Sequence, residues 1–153
     1  MSPKLYNNRD KKGGNGLRSI ITDNLERCYY CGTTNNVELH HCIHGKIGRK
    51  LSTQYHLLVG LCPDCHRGVN GVHGKNGYEK DLKLKAEAQH KWEERRIKKG
   101  KSTRDSVRQD WINVFGIDYI NEFHNYINEC QEDLLTQEQE EQILSDIYRD
   151  IKF

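Results

Sequence analysis

The sequence predicts an α+β protein, a small metal-stapled core of two short strands and a helix followed by an α-helical C-terminal region. Three observations carry this. Two Cys-x-x-Cys pairs, Cys28/Cys31 and Cys62/Cys65, stand roughly thirty residues apart, and two such pairs are the ligand arithmetic of a closed, four-thiolate structural zinc site. Hydrophobic residues make up only 35% of the 153 residues, lean for a large core, and a metal staple answers that shortfall. Beyond the second Cys pair the apolar residues recur at helical spacing.

Three segments follow: a flexible basic N-terminal arm over 1–20, a zinc-stapled domain over 21–78, and a helical extension over 79–153. The arm is read from Asn7-Asn8-Arg9-Asp10-Lys11-Lys12-Gly13-Gly14-Asn15-Gly16, which has neither periodicity nor apolar residues to pack. Leu17 to Leu25 reads as a short helix leading to the first knuckle, where Gly32 after Cys31 suits a tight turn. Val37 to His41 alternates as a short strand. His44 to Ser52, with Gly45, Lys46, Gly48, Arg49 and Lys50, reads as a basic glycine-bearing loop. Tyr55 to Leu61 is the returning strand, and Cys62-Pro63-Asp64-Cys65 opens a helix that carries His66. Leu84, Ala88 and Trp92 share one face of a helix from about Glu79 to Lys98, which Gly100 stops. Ser102 or Thr103 caps the next helix, with Val107, Trp111, Val114 and Phe115 on its stripe. Ile120, Phe123 and Ile127 form a third stripe. Thr136-x-x-Gln139 is a capping-box pattern opening a last helix with Ile143, Leu144, Ile147 and Ile151 on one face.

The net charge of +2 hides a polar distribution. Residues 1–101 hold 20 Lys and Arg against 10 Asp and Glu, and residues 102–153 hold 4 against 12. The basic part, at +10, contains the cysteines and suits a polyanion such as nucleic acid; the acidic part, at −8, does not. No apolar run reaches the ~18 residues that cross a bilayer, and no apolar signal segment follows Met1. The expectation is a soluble, cytoplasmic protein with reduced thiols and no membrane partner.

Four cysteines saturate a tetrahedral ion, so His40, His41, His66 and His73 are surplus to it and ask for a second, more open metal site. Neighbours on a strand face opposite ways, which gives His40 and His41 different tasks. Cys42 and Cys130 read as ordinary buried thiols, and His44, His90 and His124 as surface or satisfied core histidines.

Cys28-x-x-Cys31, Glu38-Leu39-His40-His41 and Leu61-Cys62-Pro63-Asp64-Cys65-His66 resemble the zinc-supported HNH endonucleases over about residues 26–75. The strings Arg49-Lys50-Leu51-Ser52, Gly71-Val72-His73-Gly74 and Trp111 to Ile120 are similar to small HNH proteins of bacteriophages. The resemblance implies a ββα-metal core and metal-dependent hydrolysis of DNA phosphodiester bonds, in phage DNA recombination or processing. It makes His41 the general base, and His40 and His66 ligands of a catalytic divalent ion, Mg²⁺, Mn²⁺, Ni²⁺ or Zn²⁺. For the third ligand Asn70 and His73 are both placed, and His73 is preferred because imidazole binds most candidate ions more strongly. The family's central Asn should fall where this chain has His56-Leu57, which leaves His56, or a main-chain carbonyl, to orient His41. Lys46, Arg49 and Lys50, with Arg67 and Lys75, form the expected nucleic-acid-binding set. Two other readings stay open: a non-catalytic zinc-stapled DNA-binding protein, and an interaction protein acting through its acidic helical tail. The C-terminal helices could also carry a protein partner or a homo-oligomer contact.

Overall fold

The computed structural model describes residues 16–100 and 102–150, with side chains as far as Leu134 and at Gln142. The chain divides into two compact units, the first ending at Ile120 and the second beginning at Asn121. The first unit is a small α+β assembly. Its elements are β1 (Glu38–His41), α1 (Gly45–Tyr55), β2 (Leu58–Leu61), α2 (Pro63–Arg67), α3 (Tyr78–Lys98) and α4 (Arg104–Phe115). A final helix, α5 (Tyr119–Asp150), begins at the end of the first unit and supplies the described part of the second. No helix among the described residues is long and apolar enough to cross a membrane.

β1 and β2 pair antiparallel as a two-stranded sheet, with Glu38 opposite Leu61 and His40 opposite Val59. All four residues of β2 are buried, so this strand is the floor on which the other elements rest. Gly60 is its key position. The first cysteine knuckle lies directly against it, through a parallel bridge between Cys28 and Gly60 and a hydrogen bond from the Tyr29 N–H to the Gly60 carbonyl at 2.8 Å. A side chain there would meet the Leu25 carbonyl, the Val37 side chain and, at 2.9 Å, the Arg27 carbonyl, so only glycine admits the knuckle.

Three sequence expectations are corrected. Leu17 to Leu25 is not a helix but a chain of bends. Its donors are spent elsewhere: the Ile20 N–H on the His56 carbonyl at 2.9 Å, and those of Ile21 and Thr22 on the Ser19 hydroxyl, which itself donates to the Leu58 carbonyl. The basic loop over His44 to Ser52 is helix α1 for most of its length, and that helix runs on through Tyr55 to a cap at His56, so the returning strand begins at Leu58 and not at Tyr55. Gly48 is buried where a Cβ would lie 2.9 Å from the Ile43 carbonyl, and the Ser52 hydroxyl bonds both the N–H and the carbonyl of Ile43. That latch holds α1 down on the end of β1. Finally, no helix starts at Thr136, because α5 runs unbroken from Tyr119 to Asp150, a stretch without Gly or Pro. Residues 1–15, which hold most of the expected basic arm, and Ile151 lie outside the described residues.

The apolar stripes of α3 and α4 meet each other. Trp92 and Trp111 pack edge to face at 5.4 Å, Phe115 stacks on Trp111 at 3.8 Å, and Tyr55 from α1 closes on both Trp92 and Phe115. Gly100 takes φ +87° after α3, and the Thr103 hydroxyl accepts the Ser106 N–H to cap α4. The same interface buries Glu93 completely, with Arg108 gripping both its oxygens at 3.0 Å. The Gln89 side-chain carbonyl accepts the Tyr119 N–H at 2.8 Å and so satisfies a free donor at the start of α5.

Replacing Gly60 with Ala is expected to destabilise the protein by about 1–3 kcal/mol by forcing the first knuckle off β2. Thermal unfolding of the variant against the wild type measures this, and an unchanged midpoint would show that the knuckle has slack the packing does not reveal.

Candidate metal centres

The sulfurs of Cys28, Cys31, Cys62 and Cys65 all lie within 4.8 Å of one another and could hold a metal such as zinc. Local structure brings them there. Gly32, at φ +76°, turns the first knuckle so that its N–H bonds the Cys28 carbonyl at 2.9 Å. Pro63 starts α2 directly after Cys62, so Cys65 sits one turn along on a five-residue helix. Burial opposes ionisation of Cys28, yet main-chain hydrogen bonds at Cys31, Cys62 and Tyr30 bring its thiol down to about 6. Cys65 is pushed up to about 12 by burial and by its cysteine neighbours. Thiols this close resist losing their protons together, and a cation removes that conflict. Cys42 is fully buried, and burial raises its thiol further still.

A second cluster is made of imidazoles. His40, His44 and His73 each offer a nitrogen within 4.8 Å of the other two, and the His66 ring lies 5.1 Å from both His40 and His73. Strand alternation explains its base. Glu38 and His40 share one face of β1, and both meet α2: the Glu38 carboxylate takes His66 Nδ1 at 2.7 Å, and His40 Nδ1 lies 3.3 Å from His66 Nε2. His73 arrives by a tight glycine-rich return after α2, fixed by its N–H on the His66 carbonyl at 2.9 Å. In that return a Cβ on Gly74 would run into the Gly68 carbonyl. His44 stands at the head of α1 and reaches α3, where its Nε2 is 2.5 Å from the Asp81 carboxylate. The other Asp81 oxygen holds Lys85 at 2.6 Å.

His40 is the most deeply set of the four rings, and its Nε2 is buried without a hydrogen-bond partner among the described residues. Such an orphan is uncommon in a folded protein and costs free energy. Burial first, and then the neighbouring histidines, bring His40 down to about 3, so it is neutral with a lone pair at any physiological pH. The same causes lower His73.

His41 faces the other way and is half-buried. Its Nε2 lies 3.0 Å from the Thr53 hydroxyl, which donates to the Arg49 carbonyl at 3.1 Å. A hydroxyl whose proton is so used accepts from the ring, which puts the His41 proton on Nε2 and leaves Nδ1 with its lone pair. Burial, and then Arg49 and His44, lower the His41 pKa and favour the neutral ring. Comparison of the chain with protein-family models, with curated proteins and with solved structures gave no match.

The structure therefore brings His40, His66 and His73 together and adds His44, for which the sequence alone suggests a surface or satisfied core position. Asn70 hydrogen-bonds Asn76 instead. The side chain found on His41 is Thr53; His56, three residues later, is the left-handed cap of α1 at φ +60°, and its carbonyl takes the Ile20 N–H. Lys46, Arg49 and Lys50 are exposed on α1, which carries no acidic residue, and Lys75 is exposed too. Arg67 is paired with Glu38 at 2.5 Å. Only His44 had a legible signal: it follows the His pair by three residues.

Stripping the ion from the cysteine site, or replacing Cys65 with Ser, is expected to unfold the sheet and α2, because ion binding in so small a core is folding free energy. Far-ultraviolet circular dichroism and elemental analysis check this. Protein purified without chelator and found free of zinc would remove the site.

Proposed function

We propose that the protein is a metal-dependent endonuclease of the HNH type acting on DNA. The observation that carries this reading is the end of β1, where His40 enters a cluster of imidazoles while His41, its neighbour, is held outward by Thr53 with its Nδ1 unpartnered among the described residues. Support comes from the order of two antiparallel strands, β1 and β2, followed by the short helix α2, with α1 as the connection between the strands. The orphaned His40 Nε2 and the donor chemistry around it fit a divalent ion, held by the histidine cluster. Such an ion supplies positive charge that polarises a phosphate and offsets charge growing on its oxygens. His41 Nδ1 takes a proton from the attacking water, a role suited to a neutral imidazole. Thr53 and the Arg49 carbonyl behind it keep the ring turned and its tautomer fixed. Lys46, Arg49 and Lys50 hold neighbouring phosphates in register.

A second reading, a non-catalytic zinc-stapled DNA-binding protein, is favoured by position 56, where the family's central Asn is absent. One assay separates the two. The wild type is expected to nick DNA only with an added divalent ion, and His41→Ala to lower that rate about 10²- to 10⁴-fold with the fold unchanged. Wild-type protein inert with Mg²⁺, Mn²⁺, Ni²⁺, Co²⁺ and Zn²⁺ on single-stranded, duplex and branched DNA hands the case to the binding reading.

Thr53 is a positioning residue in this scheme. Thr53→Val is expected to lower kcat roughly 10- to 100-fold with DNA affinity unchanged, and Thr53→Ser to restore it. Nitrogen-15 spectra of the His41 ring give an independent check, since the wild type should carry its proton on Nε2 and the Val variant a mixture. Identical ring spectra in both would end this role for Thr53.

A further inference from the structure

The resemblance to HNH proteins implies that His40, His66 and a third residue bind the ion, but the hydrogen bonds around His66 argue for a different division of labour. Glu38 is a carboxylate and can only accept, so His66 donates to it from Nδ1. His66 Nε2 then carries a lone pair, and the hydrogen bond across the 3.3 Å gap to His40 Nδ1 needs its proton on His40. His40 Nε2 is in turn left with a lone pair, in the buried position where the described residues offer it no donor. The relay Glu38–His66–His40 thus ends in a naked nitrogen. His44 is set in the same way from another side: Asp81 takes its Nε2, which leaves Nδ1 as the nitrogen with a lone pair. Carboxylates that hold the far nitrogen of an imidazole are the usual companions of metal-binding histidines, fixing their tautomer and raising their basicity.

We infer that the ion is bound by His40 through Nε2, by His44 and by His73, with His66 behind His40 as its relay, and that it is a transition ion of the zinc, cobalt or nickel class. The three ligands come from β1, the head of α1 and the return after α2, while α3 orients one of them through Asp81. The donor group contains three imidazoles and no carboxylate. Both nearby carboxylates already have a partner on each oxygen, Glu38 with His66 and Arg67, Asp81 with His44 and Lys85. Imidazole suits zinc, copper, iron and nickel, whereas Mg²⁺ and Mn²⁺ favour carboxylate and carbonyl oxygen. Three imidazoles also leave a tetrahedral ion one open position. His73 is the exposed member of the group, which gives the cluster an approach from solvent.

This inference deepens the proposed nuclease reading by naming its ion and ligands, yet binding can be read without activity. The test is a titration of the full chain, its cysteine site already filled with zinc, with Co²⁺ and separately with Mg²⁺. Calorimetry counts the ions bound, and the visible spectrum separates cobalt on imidazole from cobalt that has displaced zinc at thiolate. The wild type is expected to bind one Co²⁺ per chain and to prefer it to Mg²⁺ by far. Asp81→Asn and His66→Gln, which disturb orienting groups only, should each weaken Co²⁺ about 10- to 100-fold, and His44→Ala should weaken it further. Circular dichroism and retained zinc show that each variant is folded, and the wild-type ion preference stands without any variant. If His44→Ala binds Co²⁺ like the wild type while His66→Gln does not bind it, the family's ligand set holds and ours is overturned. Mg²⁺ binding as tight as Co²⁺ overturns the choice of ion. Co²⁺ bound as expected by a protein that cleaves no DNA leaves this inference standing and removes the nuclease.

Discussion

Four cysteine sulfurs within 4.8 Å of one another are the constraint on which the rest of this structure depends. One pair precedes the sheet and the other follows it, so closing the site fixes both ends of a two-stranded sheet too short to be stable alone. A small core cannot supply that closure by burial. The thiols also explain why Gly60 is bare: the first knuckle must lie against the middle of β2 to bring Cys28 to Cys62.

From that anchor the imidazoles are placed by simple geometry. α2 is only one turn beyond Cys62, so its direction is set by the cysteine site, and His66 leaves it toward the face of β1 that carries Glu38 and His40. The alternation of a strand then turns His41 to the opposite side, where α1 brings its basic side chains and, in its last turn, the Thr53 hydroxyl. The two neighbouring histidines differ in environment because of this one alternation. One is buried among three other imidazole rings, and the other, half-buried, rests on a hydroxyl.

α3 links this region to the aromatic core. Its Leu84, Ala88 and Trp92 join the hydrophobic core that also holds Val59 and Leu61 of β2 and Val107 and Trp111 of α4, and its first turn sends Asp81 to His44. The polar cluster of Gln89, Glu93 and Arg108 locks α4 onto it. Removing a partner from such a network leaves a buried charge unsatisfied, which makes the pose of α3, and with it the orientation of His44, hard to vary.

The sequence by itself determined what depends on short spacing. Cys-x-x-Cys twice, the strand with adjacent histidines, Pro63 opening a helix under His66, the stripe of α3 and the Thr103 cap are all written within a few residues of chain. Tertiary structure alone decided the rest. α1 was illegible because its buried face is Gly48 and Ser52, residues that signal loop until a close backbone approach to Ile43 is available to reward them. Leu17 to Leu25 has helical spacing, but its donors find partners on the distant His56 and Leu58 carbonyls and on Ser19. His44 meets Asp81 across 37 residues of sequence, and Thr53 meets His41 across 12. Periodicity records which face a residue shares with its neighbours in the chain. It carries no record of which hydrogen bond a side chain makes with an element that folding brings from elsewhere.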